Sequence, residues 1–335
     1  MRGWANPLVT GATARTRCPF RWSLRHRDSL PAVTPDRRSH NLGVAAALGA
    51  YSLWGLVPIF WPLLDRSSAP EILAHRIVWS TVLGAILVAL FARKRWRAQL
   101  TGRGTFIRLT VASVVIAVNW GLYIWAVNNG RVTEAALGYY INPLLAILAG
   151  VFFFSEKLAP MQWAAIGLAT VAVVVITIEY GQPPWTALVL AVTFTIYGIV
   201  KKRVKVEPIV SMTAESALMT IPAIGFLVFL ASRGEGDFLQ HGIGYDLLLA
   251  CAGVVTAVPL LLFAYAAQRI PLSLIGLTQY LAPTMQFLLG VFYFKEAMST
   301  GRWIGFTLVW VALMIISVQA VSAMRRSRRL HRVAG

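Results

Sequence analysis

The sequence predicts an all-α integral membrane protein with ten transmembrane helices, built as two five-helix repeats that enter the membrane in opposite orientations. Composition is the first of three observations that predict this fold class. Of the 335 residues, 57% are hydrophobic and only 13% are charged, and the mean hydropathy is +0.65. Soluble domains carry about 45–50% apolar and about 25% charged residues, so this chain could not keep a water-exposed surface hydrated.

The spacing of apolar runs is the second observation. A helix needs about 20 mainly apolar residues to cross a hydrocarbon layer of about 30 Å. Ten such runs follow the first forty residues of the chain. They cover residues 42–64, 71–92, 107–127, 132–154, 161–179, 185–201, 209–231, 245–267, 272–294 and 302–322.

An internal duplication is the third observation. Residues 137–163 overlay residues 277–303 at a constant offset of 140, with ten identities. Each half holds an odd number of spans, so the second half must be inverted, which is a transporter architecture. We therefore predict a basic disordered arm at 1–40, repeats at 41–180 and 181–322, and a basic cytoplasmic tail at 323–335.

The basic charge of the chain predicts membrane topology. A net charge of +18 could indicate a nucleic-acid partner, but the cations lie in short islands between apolar runs, so we exclude nucleic acid. With the N-terminus inside, cytoplasmic segments hold 25 Lys and Arg residues and outer segments hold 5. Cytoplasmic loops are enriched in these residues, so both termini are predicted to be cytoplasmic.

Several strings of the sequence resemble one family. They are YSLWGLVPIFW (51–61), EILAHRIVWS (71–80), NWGLYIWAVNN (119–129), EAALGYYINP (134–143), VPLLLFAYAAQR (258–269) and QYLAPTMQFLLGVFYFKE (279–296). Residues 41 to about 322 resemble the RarD family, in the EamA branch of the drug/metabolite transporter superfamily. The resemblance implies EamA-type repeats, a multi-pass location in the bacterial inner (plasma) membrane, and a permease linked to chloramphenicol by the family label. Where the family tends to have glycine before a glutamate, this chain has Ser155 and Lys295.

A polar stripe marks the second span. Glu71, His75 and Trp79 follow at four-residue spacing, with Arg76 beside them. Because a charge at a helix centre costs roughly 2.5–3.5 kcal/mol, we expect Arg76, His75 and Trp79 to bind the solute and Glu71 or His75 to exchange protons. In the alternative interpretation, Glu71 only opens the helix and the other residues form a satisfied polar cluster.

Three further spans carry candidates. In the third span, Asn119 and Tyr123 lie four residues apart and suit a partly apolar solute, since rings give contact area and amides fix orientation. The fourth and ninth spans share one pattern, in which polar residues precede a proline that permits a helix kink. In the alternative interpretation, these residues only pack one helix against another. The members of this pattern are Glu134 for ion coupling, Tyr140, Asn142, Gln279 and Tyr280 for solute binding, and Pro143 and Pro283 for the kinks.

Glu215 is the only charged residue in the middle of the seventh span, and it corresponds to Glu71 of the first repeat at an offset of 144. An unpaired carboxylate in lipid would take up a proton, so we predict an ion-coupling site, although a hydrogen bond to a neighbouring helix would also explain it. Glu156 and Glu296 follow the apolar runs of the fourth and ninth spans, and we interpret them as boundary and turn residues.

These observations favour a secondary carrier that moves a small organic solute by alternating access around a midplane cavity. The cysteines, Cys18 and Cys251, and five scattered histidines do not predict a disulfide, a metal or another cofactor, and no phosphate-binding glycine loop indicates ATP. The expected partners are the solute, the lipid bilayer and, for a homodimer, a second copy. A membrane-embedded enzyme acting on a lipid-like substrate is the alternative, but its polar groups should cluster on longer loops.

Overall fold

The computed structural model describes residues 37–154, 158–267, 269–270, 274–275 and 278–333, and every regular element in these ranges is helical. Glu156, Ser155 and the beginning of the predicted ninth span lie outside the described residues. The long helices are α1 (Arg37–Phe60), α2 (Ala69–Phe91), α4 (Arg103–Asn128), α5 (Val132–Phe154), α6 (Pro160–Tyr180), α7 (Trp185–Lys202), α8 (Pro208–Arg233), α9 (Ile243–Ala267) and α11 (Thr300–Val333). The short elements are a 3₁₀ turn (Trp61–Leu64), α3 (Trp96–Gln99), α10 (Leu281–Leu288) and a π-helix (Leu289–Tyr293).

Nine of the described helices are long and apolar enough to cross a membrane, and α10 with its π-helix adds a shorter apolar segment. The predicted all-helical membrane fold is therefore confirmed. The first and last helices are longer than the predicted spans. Residues 1–36 of the predicted arm lie outside the described residues. Helix α1 begins at Arg37, and α11 continues to Val333 within the predicted basic tail, because arginine-rich sequence without Pro or Gly is a good helix former even outside lipid.

Local sequence explains where the helices begin and end. The Ser68 hydroxyl accepts the Glu71 amide and so caps α2, whose Pro70 occupies an early position that needs no donor. Gly181 and Gly234 end α6 and α8 in the left-handed conformation, which glycine adopts without strain.

The two sequence halves are packed into each other. Helix α2 packs between α8 and α9, α1 packs against α9 and α10, and α5 packs against α7. At one such crossing a Cβ on Gly253 would lie 2.6 Å from the Trp79 carbonyl carbon, so only glycine lets α9 approach α2 this closely. A site between the halves is thus built from both.

The bundle has two unlike ends. We call the end where α2, α5, α7 and α9 begin the sealed end, because a buried apolar cluster closes the space between these helices, with Trp61, Ile72, Val127 and Leu249 among its members. A second cavity of about 250 Å³ lies at this end, between the start of α5, the loop before α7 and the start of α11. The opposite end, where α4 and α8 begin, contains a cavity of about 340 Å³, and we call it the cavity end. Apolar side chains such as Ile178 and Ile221 are exposed on the outside, as lipid contact requires.

Candidate functional site

Arg76 is buried at the interface between the halves. Its side chain is 6% exposed, and Nε donates to the Thr256 hydroxyl on α9 at 2.6 Å. That hydroxyl in turn donates to the Ala252 carbonyl. Among the ion pairs of the described residues, none involves Arg76. The positive charge is therefore held in the membrane interior without a carboxylate beside it.

Cation–π contacts with aromatic rings provide the attraction that a carboxylate would otherwise supply to Arg76. The guanidinium carbon lies 3.5 Å from the centre of the Trp120 ring and 5.8 Å from that of Trp61. A guanidinium over an indole face is attracted by the ring's electrons, by about 2 kcal/mol when both are desolvated. This attraction holds the cation in place, but it leaves the terminal N–H groups without an acceptor.

Other donors near Arg76 also lack partners. The Trp61 indole nitrogen and the Tyr123 hydroxyl are buried, and neither has a hydrogen-bond partner in the structure. Tyr139, whose ring contacts that of Tyr123 at 5.6 Å, is a second phenol close to the guanidinium, and its hydroxyl donates to Asn119 Oδ1 at 3.5 Å. Since an unpaired buried donor costs about 1–3 kcal/mol, the Trp61 indole and the Tyr123 hydroxyl are suited to an acceptor-rich or anionic ligand.

The cavity leads to Trp120. Its wall is mostly apolar and comes from both halves. Because Trp120 both lines the cavity and covers Arg76, the guanidinium lies directly behind the cavity wall. The lining residues include Ile77, Ile116, Trp120, Tyr197, Lys201, Met212, Glu215, Met219, Leu260 and Phe263.

Glu215 is paired with groups of the neighbouring helix α7, which agrees with the alternative of a hydrogen bond and not with an isolated carboxylate. Lys201 Nζ lies 2.5 Å from Glu215 Oε1, the Ser211 hydroxyl donates to the same oxygen at 2.7 Å, and the Tyr197 hydroxyl donates to Oε2 at 3.0 Å. This ion pair was not predicted from the sequence, because Lys201 belongs to the last turn of α7, where a long cationic side chain is expected to reach water. Here it reaches the cavity instead.

Most of the polar stripe on α2 faces away from Arg76. Glu71 accepts the Asp237 amide at 2.8 Å, and the His75 ring lies 4.9 Å from that of Phe238. Both partners belong to the loop between α8 and α9. Trp79 meets α9 at Gly253. Of the four predicted α2 residues, only Arg76 reaches the aromatic stack, and Glu71 makes no ion pair with it.

The third-span candidates differ in their surroundings. Asn119 is fully buried, and its amide donates to the Leu190 carbonyl at 2.9 Å and to the Thr193 hydroxyl at 2.8 Å. These bonds tie α4 to α7. Tyr123, by contrast, has its hydroxyl free beside Arg76. The structure thus brings Tyr123 to the cation, whereas Asn119 joins α4 to α7 and also accepts the hydroxyl of Tyr139, the second phenol near Arg76.

The fourth- and ninth-span candidates are spread over a wider region. Tyr140 contacts the Thr284 hydroxyl at 2.8 Å within a second apolar cluster formed by α5, α6, α7, α10 and α11, and Tyr280 packs against the same cluster. The Asn142 amide oxygen has no partner, and Gln279 lies in the turn before α10. Pro143 and Pro283 lie within helices. None of these residues contacts Arg76 in the structure.

Glu134 is also engaged away from Arg76. It accepts the Thr186 amide at 3.0 Å and pairs with Arg131 at 3.5 Å. Tyr139, the neighbour of Tyr140, is the phenol that sequence reasoning missed. Position along the helix was the available signal, since successive residues point about 100° apart and only one of two adjacent tyrosines can face Arg76.

Proline also positions α1 in a way the sequence did not reveal. Pro58 lies inside α1 and cannot donate to the carbonyl of Trp54, four residues earlier. Gln286 on α10 donates to that carbonyl at 3.1 Å. The bond joins helices of the two halves.

The fold and site together define a polytopic helical membrane protein with a cavity of about 340 Å³ lined by both halves of the chain. Comparison with known proteins makes this specific. The EamA-like transporter family matches residues 41–178 and 184–318. The chain belongs to this family, within its RarD group, and is a multi-pass membrane transporter of the bacterial inner membrane.

Several curated bacterial proteins are similar over most of their length. "Protein RarD" of Streptomyces exfoliatus is 52% identical, over 85% of this chain and 91% of its own. "Protein RarD" of Escherichia coli K12 is 38% identical over 88% and 100%. A solved structure titled "Crystal structure of protein" has 17% identity and a TM-score of 0.57, over 84% of this chain and 99% of its own, and supports the fold alone.

Proposed function

We propose that this transporter is a secondary-active carrier of a small organic solute and that Arg76 holds an acceptor-rich or anionic group of that solute. The observation that carries the proposal is the buried guanidinium with one hydrogen bond, no carboxylate and an aromatic cover. A cation in this position is costly, and a ligand that brings its own negative charge lowers that cost.

In the proposed binding step, the solute takes the place of the Trp120 ring over the Arg76 guanidinium. The solute enters from the cavity end, its apolar body contacts the lining of α4, α8 and α9, and its anionic group displaces the indole from the guanidinium. The unpaired donors of Trp61 and Tyr123 then find acceptors. Charge-assisted hydrogen bonds of this kind are roughly twice as strong as neutral ones, so the exchange favours an anionic group over the ring.

Alternating access supplies the transport step. The apolar cluster closes one end while the cavity reaches the loop between α7 and α8 at the other, as expected for one of two alternating states. The distribution of Lys and Arg leads us to propose cytoplasmic termini, which puts the cavity end inside. A single charge crossing 100 mV gains about 2.3 kcal/mol, enough to drive a solute without ATP.

The proposal retains three predictions from the sequence. They are the repeats at 41–180 and 181–322, a transport rather than an enzymatic role, and a homodimer as a candidate assembly. A relative from Pseudomonas aeruginosa, 25% identical, is called "Chloramphenicol-sensitive protein RarD". We therefore include amphenicols among the solutes to be tested.

The test is uptake into proteoliposomes with an imposed potential or pH gradient. The panel holds amphenicols, amino acids, nucleosides, and carboxylic acids beside their uncharged amides. We expect Arg76→Gln to raise KM for the transported acid at least about thirtyfold, because truncating a buried charged partner costs about 2 kcal/mol or more.

Arg233→Gln is the matched control, since it removes an exposed cation at the sealed end. It should leave uptake unchanged. Equal uptake by wild type and Arg76→Gln for every transported solute would overturn the role of Arg76. Faster uptake of the amide than of the acid would overturn the anionic class.

A further inference from the structure

We propose that Glu296 is a regulatory proton-binding site, which takes up a proton when the sealed end closes and releases it when that end opens. The sequence suggested only a turn residue here. The inference rests on the proposed alternating access, because it assigns to one carboxylate the pH dependence of that conformational change.

The geometry of Glu296 joins the halves. Its Oε1 accepts the Val132 amide, and its Oε2 accepts the Thr133 amide at 3.0 Å and the Thr133 hydroxyl at 2.5 Å. Glu296 follows the π-helix of the second half, whereas Val132 and Thr133 begin α5 in the first. Opening the sealed end by moving one half against the other would therefore separate this carboxylate from its donors and hydrate it.

The backbone is shaped to bring Glu296 there. A Cβ on Gly290 would lie 2.6 Å from the Thr133 side chain, so the π-helix approaches α5 as closely as glycine allows. Lys295 has φ +52°, a left-handed conformation that is unfavourable for a lysine. A π-helix and a strained residue side by side are common at functional positions.

The site can hold Glu296 in either protonation state. A charged carboxylate accepts all three donors. When Oε2 takes a proton from water, it donates to Thr133 Oγ1, because the hydroxyl can turn from donor to acceptor, and Oε1 still accepts from Val132. Closure can therefore bind the proton without leaving it unpaired.

The sign of the effect follows from burial. Burial raises the pKa of Glu296 above the ordinary value of 4.5, and the nearby charge of Glu134 adds to this, while the bonds to Val132 and Thr133 lower it. The sealed state therefore binds the proton more tightly than an open, hydrated state, so acid favours closure and alkali favours opening. The other charges near this site are Arg131, Glu179, Lys295 and Arg302.

The proton enters and leaves Glu296 on one side of the membrane. Because uptake and release both occur at the sealed end, Glu296 sets the pH at which that end opens and does not carry protons across. Two other carboxylates at this end also accept amides of the opposite half: Glu71 from Asp237 and Glu134 from Thr186. Within the described part of the chain, Glu215 at the cavity end bonds instead to Lys201, Ser211 and Tyr197 of its own half.

The test measures the sealed end directly. Spin labels at Asn129→Cys and Gln240→Cys, in a Cys18→Ser, Cys251→Ala background, report the distance between the halves in lipid nanodiscs. Both positions are exposed at this end. For the wild-type site we expect the ratio of sealed to open molecules to fall as pH rises from about 4 to about 8, by no more than tenfold per unit for one proton.

Glu296→Gln keeps an uncharged acceptor and donor, so its sealed fraction should stay high at alkaline pH. Its pH dependence should be weaker than that of the wild type but not zero, because Glu71 and Glu134 still bond across the halves at this end. Glu235→Gln, at an exposed glutamate of the same end, should retain the wild-type profile. A sealed fraction that rises with pH, or a profile unchanged by Glu296→Gln, overturns the proposal for Glu296. A single distance under all conditions, with every transported solute added, would instead refute alternating access.

Discussion

Thr256→Val tests whether the Thr256 hydroxyl holds the buried Arg76. Valine has nearly the shape of threonine, so the substitution removes the acceptor of Arg76 Nε without creating a cavity. Hydrogen bonds to charged groups are worth about 1.5–3 kcal/mol, while polar pairs measured within membranes reach about 1.7 kcal/mol. The two ranges overlap near about 1.5 kcal/mol, which is the coupling energy we expect.

A double-mutant cycle isolates this energy from other effects. Reversible unfolding in mixed detergent micelles, followed by tryptophan fluorescence, would be measured for Thr256→Val, Arg76→Gln and the double variant. Thr256→Ser keeps the hydroxyl and is the matched control, expected close to wild type. A coupling energy below about 0.5 kcal/mol would refute the hydrogen bond as the support of the cation.

Three other substitutions follow from the packing. Gly253→Ala should lower the free energy of unfolding by about 1–3 kcal/mol, because the added Cβ would meet the Trp79 backbone. Gly244→Ala, which has open space around it, should not lower it, and thermal unfolding compares the two variants. Lys295→Gly should raise that free energy by about 1 kcal/mol by relieving a left-handed φ, and an unchanged melting temperature would contradict this. Asn119→Leu should destabilise the bundle by about 1 kcal/mol yet leave the KM for solute near wild type, and a large rise in KM would show that its amide binds solute instead.

The helices could be predicted from the sequence because the hydrocarbon layer sets their length and excludes charge. The C-terminal end of α11 could not, since this helix continues past Gln319 into basic sequence where no lipid constrains it. The same logic applies to the site. Arg76 stands out as a cation among apolar residues. Its neighbours depend on how α2 is rotated about its own axis, and this rotation cannot be predicted from a helix that is apolar on most sides.

Partners from distant parts of the chain were the hardest to predict. Lys201 and Glu215 belong to different helices, and nothing in either segment specifies their contact. Thr256 is a single hydroxyl in an apolar span. Glu296 was recognised through the duplication as a repeated glutamate, but its bonds to Val132 and Thr133 depend on tertiary structure.

The bond from Gln286 to the Trp54 carbonyl has a consequence for biosynthesis. The two residues are 232 positions apart, and at about 5–20 residues per second the ribosome needs roughly 10–50 s to make the intervening chain. During that interval the carbonyl left free by Pro58 must be satisfied by water, lipid headgroups or a chaperone. Helix α1, although made first, therefore reaches its final form only when α10 inserts.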